Sequence, residues 1–132
     1  MAFRFEFDSA NKLLVGRFEG KLTDESLSEF LRAIRDYSTT TDARAGIADY
    51  SSVTEFTVSS EFIRYIATRE PAMPDATRRP RVVVFPGTAG FGIGRMFQIM
   101  TEPKNPLFKV VHTMDEALAE LGVQSPRFEP LE

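Results

Sequence analysis

This sequence predicts an α/β domain built on a mixed, mostly parallel sheet, and three observations carry the prediction. Short apolar runs that read as strands alternate with stretches whose apolar residues recur at helical spacing. The chain opens on a two-residue alternation, Phe3-Arg4-Phe5-Glu6-Phe7, which is the pattern of a half-buried strand. A later run, Val82-Val83-Val84-Phe85, is apolar throughout and stopped by Pro86-Gly87, as expected of a strand covered on both faces. About five strands flanked by four helices account for the pattern.

The elements follow in order. After the first strand, Asp8-Ser9-Ala10-Asn11 is turn chemistry, and a strand over about 12–19 returns antiparallel, making a hairpin. Thr23 is placed to cap a helix whose first turn holds Asp24 and Glu25, acids at its positive end. Leu27, Phe30, Leu31 and Ile34 form that helix's apolar stripe, and the polar run 38–42 ends it. Ala45 to Tyr50 reads as a short interior strand and 51–57 as a loop. Ser59 or Ser60 caps the second helix, with Phe62, Ile63 and Ile66 inward, and Pro71 and Pro74 stop it.

The strand at 82–85 leads into a glycine-rich turn, Gly87-Thr88-Ala89-Gly90-Phe91-Gly92-Ile93-Gly94-Arg95. A third helix is expected to follow, with Ile93, Met96, Phe97 and Met100 on its inner face. Phe108, Val110 and Val111 supply the last strand. Thr113-Met114-Asp115-Glu116 is a capping box opening the fourth helix, and Gly122 is its stop. The domain is expected to span 1–123, with 124–132 a proline-containing tail that lies on the surface or frays.

Composition narrows the function classes. The chain has 132 residues, 42% hydrophobic and 27% charged, which suits one globular domain with a real core. It has no cysteine, which excludes disulfides and thiolate chemistry, and a single histidine, His112, which is expected to be structural. No apolar run approaches a membrane span and no leader pattern opens the chain, so the expectation is a cytoplasmic protein, not an integral membrane one. Between Phe62 and Met100 six arginines face two acids, a net of +4, which leaves −7 on the rest of a chain whose total is −3. That positive middle suits an anionic ligand or an acidic protein surface, or a solvated rim. Overall acidity and the lack of a basic aromatic stripe speak against nucleic acid.

The hairpin with "GKLTDESLSEFL", then "GIADYSSV", "GFGIGRMFQ" and "TMDEALAEL", taken in that order and spacing over about Phe3 to Leu121, resembles the STAS superfamily and within it the SpoIIAA-like branch of small bacterial proteins. The resemblance implies a non-enzymatic regulatory or protein-interaction module. It also implies a serine at the start of the second helix switched by phosphorylation, at Ser59 here. The family's turn around that serine is Asp-Ser-[Ser/Thr]-Gly, whereas this chain reads Val58-Ser59-Ser60-Glu61, so the flanking aspartate and glycine are lost. A likeness to lipid-carrier domains implies an alternative: a carrier or sensor of a lipid or other small anionic or apolar ligand.

Candidate binding residues are therefore Ser59, Ser60, Gly90, Gly92, Gly94 and Arg95, with the glycine amides and Arg95 able to meet an anion. The glycine run fits neither a P-loop nor a dinucleotide fingerprint, so close packing on the sheet is its competing explanation. Asp49, at a strand end, reads as a loop-capping acceptor. No nucleophile, base and orienting group occur together, so no enzyme activity, cofactor or metal is expected. The hairpin lies at or near a sheet edge, where Arg4, Glu6, Arg17 and Glu19 either guard the strand or guide a homodimer.

Overall fold

The computed structural model of the protein describes residues 2–69, 79–102 and 106–131. Among these the chain folds as β1 (Phe3–Asp8), β2 (Leu13–Leu22), α1 (Asp24–Thr40), β3 (Ala45–Phe56), α2 (Ser60–Arg69), β4 (Arg81–Val84), α3 (Thr88–Thr101), β5 (Phe108–Val111), α4 (Met114–Leu121) and β6 (Glu129–Pro130). The strands form one mixed sheet in the order β5-β4-β3-β2-β1-β6. Strands β2 to β5 are parallel neighbours, and β1 is antiparallel to both β2 and β6.

The sheet thus has six strands, not about five. The sixth comes from the tail expected to lie on the surface or fray: Glu129 and Pro130 pair with Phe7 and Glu6, and the Leu131 N–H donates to the Phe5 carbonyl at 2.9 Å. No apolar period announces a two-residue strand, because its stabilisation comes from the edge it joins. A second correction concerns β3, which runs on to Phe56 where a loop from Ser51 was expected. Its extension pairs in parallel with β2 as far as Leu22 through two register shifts, one at Tyr50 and Ser51 and one at Thr54. Pro71 and Pro74, expected to stop α2, lie outside the described residues.

Helices α1, α2 and α3 cover one face of the sheet. The core there is aromatic: Phe30 of α1, fully buried, meets Phe3, Phe5, Phe18 and Tyr50 with ring centroids 5.3 to 5.8 Å apart. Tyr50 stacks flat on Phe85 at 4.3 Å. Burial pushes the Tyr50 phenol well above its ordinary pKa, because an ionised oxygen would lose its hydration there. The second face carries α4 over Leu13, Val15, Ile47, Val82 and Val84, with Ala117 fully buried against them.

The expected caps are in place. Thr23 Oγ1 accepts the Ser26 N–H at 3.0 Å and Ser26 Oγ accepts the Thr23 N–H at 2.8 Å, a reciprocal box. Thr113 Oγ1 accepts the Glu116 N–H at 3.1 Å, and Glu116 reaches back to the His112 N–H. Gly122 ends α4 with a φ of 67°, the left-handed conformation that a side chain disfavours.

Candidate functional site

The starts of α1 and α2 are joined by one carboxylate. Asp24, in the first turn of α1, accepts the Ser59 N–H at 2.9 Å and the Ser59 hydroxyl at 3.1 Å. Ser59 Oγ in turn accepts the Phe62 N–H at 3.1 Å, so Ser59 and not Ser60 caps α2. A negative side chain here serves the positive ends of both helices. A phosphate on Ser59 would meet the Asp24 carboxylate directly, with Glu61 in the same helical turn, and would have to displace the bond that ties the helices together. Ser60 begins α2 and is exposed.

The glycines expected in a turn lie inside α3, which begins at Thr88. The first amide of the helix ladder is that of Phe91, bonded to the Gly87 carbonyl at 2.9 Å, so the amides of Gly92 and Gly94 belong to the ladder rather than to an anion cradle. A run of three glycines reads as a helix breaker, and packing overrides that propensity. Gly90 and Gly94 are buried: a Cβ at Gly90 would stand 2.4 Å from Phe85 Cδ1, and one at Gly94 would stand 3.1 Å from Val110 Cγ1. Gly92 is on the open side, with nothing within 4 Å of a Cβ there. The three glycines therefore do not share a surface. Arg95 extends along the exposed side of the helix, where its Nη1 donates to Gln98 Oε1 at 3.2 Å.

Ile93, Met96 and Phe97 pack on the core as expected of the inner face of α3, and only Met100 departs from it. Phe97 meets Phe108 edge-on at 5.2 Å, and Phe91 stacks on His112 at 3.9 Å, while Met100 turns outward. Outward with it go Ile99, 62% exposed, and on the neighbouring α2 Tyr65, 52% exposed. Leu107, just before β5, is exposed as well. Arg69 lies over the Tyr65 ring at 4.5 Å, and Arg64 and Arg95 are exposed on the same pair of helices. The remaining arginines of the positive middle are dispersed. Arg79 donates to the Ser38 carbonyl at 3.1 Å, Arg81 sits over the Phe108 ring, and Arg78 lies outside the described residues.

Two polar clusters escaped the sequence reading. On the second face Arg17 bridges two carboxylates, its Nε donating to Glu6 Oε1 and its Nη1 to Asp49 Oδ2, both at 2.8 Å. The Phe128 ring lies over the guanidinium at 5.6 Å. Asp49 also accepts the Ser51 N–H at 2.9 Å and the Ser51 hydroxyl at 2.5 Å, which matches its expected loop-capping bond and adds the ion pair. The second cluster centres on Asp8, 1% exposed, whose carboxylate accepts from the Ala10 and Asn11 amides, the Asn11 side chain and the Arg127 N–H. The Asn11 side chain foremost, then these amides, hold its carboxyl below the usual carboxylate range against the opposing effect of burial. The alternating charges of the hairpin were the available signal for the first cluster. Three bonds of the second lie within the Asp8 to Asn11 turn that its residues announce, and only the bond to Arg127, 119 positions away, had no local pattern to show it.

Among the described residues no group of three or more His, Asp and Glu side chains is arranged to hold a metal, and no helix is long and apolar enough to cross a membrane. A shallow concavity of about 580 Å³ lies between α4 and the start of the tail, lined by Asp115, Leu118 and Val123 among others. No family model matches the chain, and no curated protein matches it.

Proposed function

We propose that the protein is a non-enzymatic interaction module of the STAS-like kind, which binds a partner protein across the outer sides of α2 and α3. The observation that carries this reading is the group of large apolar side chains left in solvent there, Tyr65, Ile99 and Met100, on helices that also expose Arg64, Arg69 and Arg95. Glu61 is the one acid that α2 and α3 carry. Apolar side chains rimmed by arginines fit a partner surface of apolar residues rimmed by acids. The partner thus engages the helix flanks and not only the helix starts, with the Asp24 to Ser59 link holding the start of α2 in place.

The carrier alternative fits the geometry less well. It requires a ligand between α3 and the sheet, and Phe85 and Val110 fill that space against Gly90 and Gly94. A regulatory phosphate at Ser59 is also disfavoured, by the Asp24 carboxylate already bonded to it.

Affinity capture with paired variants tests the proposal. A protein retained by wild type should be lost by Ile99→Asp and by Tyr65→Glu, at unchanged melting temperature, because both side chains are largely exposed. Equal capture by wild type and variants, or a lipid co-purifying in place of any protein, would overturn it.

A further inference from the structure

The edge of β1 is self-complementary, and the tail covers it. In the hairpin, the Glu19 N–H donates to the Ala2 carbonyl, and Arg4 and Glu6 pair with Arg17 and Val15. The even-numbered residues of β1 thus spend their backbone groups on β2, and Phe3, Phe5 and Phe7 turn theirs outward. There the Phe5 carbonyl takes the Leu131 N–H. If two copies of β1 are laid antiparallel about Phe5, Phe3 falls opposite Phe7 and Arg4 falls opposite Glu6 of the second copy, on both sides of the centre. All three outward residues then form hydrogen-bonded pairs, about six bonds in all, and each Arg4, already paired with Glu19 of its own chain, faces a second carboxylate directly across the strand. A one-residue slip would put apolar side chains opposite charged ones throughout.

What occupies this edge in the folded chain is short. β6 has two residues and its ladder reaches only Glu6 and Phe7; Pro130 lies opposite Glu6, where backbone groups point away from β1, so its missing N–H leaves the outer side of β6 without a donor. Its other holds are the Leu131 N–H on Phe5, the Arg127 N–H on Asp8, the Phe128 ring over Arg17, and the packing of Val123 and Phe128 on the second-face core and of Leu131 on the first. We propose that residues 124–131 form a displaceable guard strand, and that lifting it lets a second copy of this chain pair antiparallel along β1 about Phe5. The tail then sets the oligomeric state by competing for one row of backbone groups, as edge protection does elsewhere in β-sheets. This inference stands apart from the partner surface on α2 and α3, at the other side of the fold.

The test uses the full chain. In wild type, hydrogen exchange should show the Leu131 amide opening far more readily than those of Val15 and Ile47 in the central strands. Leu131→Pro removes the donor to Phe5, and Phe128→Ala removes the ring over Arg17. Each should shift the protein from monomer toward dimer by tenfold or more in dissociation constant by sedimentation equilibrium, with helical circular dichroism unchanged. Adding Arg4→Glu to either variant sets like charges across the strand and should return the monomer, whereas Arg4→Lys should keep the dimer. The proposal is overturned if Leu131 exchanges as slowly as the central strands, if both guard variants stay monomeric, or if their dimers are indifferent to Arg4→Glu.

Discussion

The two faces of the sheet are held by different physics. Under α1, α2 and α3 the contacts are aromatic rings and close backbone approach, from Phe30 among four other rings to Gly90 against Phe85. Such packing is non-directional and dense, so it responds to lost or added volume and little to pH or salt. The other face is apolar where α4 and the tail's Val123 and Phe128 cover it. Toward β1 it is held by Asp8, by the Glu6, Arg17 and Asp49 cluster, and by a tail that reaches both. Directional polar bonds fix that half and make it sensitive to charge. The division also explains where the molecule can open: a tail fastened by a few bonds separates more easily than a helix interlocked with rings.

Five substitutions sharpen this contrast. The largest effect is expected for Phe30→Ala, which empties the centre of the first face and should cost about 4 kcal/mol in urea unfolding. Asp8→Ala should cost about 2 kcal/mol, because it leaves four donors at the hairpin turn and tail without their acceptor. Its cost should depend on pH. The folded carboxyl titrates below the ordinary value of 3.8, so its contribution is complete above that value and is lost as pH falls through the folded pKa. The separation in stability between wild type and Asp8→Ala should therefore narrow as pH falls through the acid range, and a separation that stays constant would show that charge is not what holds the second face.

Gly90→Ala comes next, at about 1 to 3 kcal/mol, since a methyl group there presses into the Phe85 ring. Gly92→Ala on the open side of the same helix should have the opposite sign and raise stability by about 0.5 to 1 kcal/mol through helix propensity alone. Thermal unfolding of the two variants separates packing from propensity, and equal shifts would mean that α3 does not rest on the sheet through Gly90. The smallest loss, about 1 kcal/mol, is expected for Ser59→Ala, which removes the α2 cap and one of the two bonds to Asp24. Amide exchange at Phe62 should report it locally, and an unchanged rate there would remove Ser59 as the cap.

Sequence alone determined what depends on neighbours along the chain. The order of strands and helices through α4, the caps at Thr23 and Thr113, the stop at Gly122 and the inward stripe of α1 follow from periodicity and capping chemistry, which act within a few residues. The structure decided what depends on residues far apart. Gly90, Gly92 and Gly94 read locally as a turn, and only contact with Phe85 and Val110 makes two of them a packing surface and leaves the third in solvent. Ser51 to Phe56 mix strand formers such as Val53, Thr54 and Phe56 with polar residues in no clear period, and become a strand through the length of β2 beside them. Candidate residues divide the same way: the cap at Ser59 was legible, but its bond to Asp24 spans 35 positions. β6 is the limiting case, a strand of two residues that exists because β1 offers an unpaired row of backbone groups and Asp8 an acceptor, so its cause lies more than a hundred residues from its sequence.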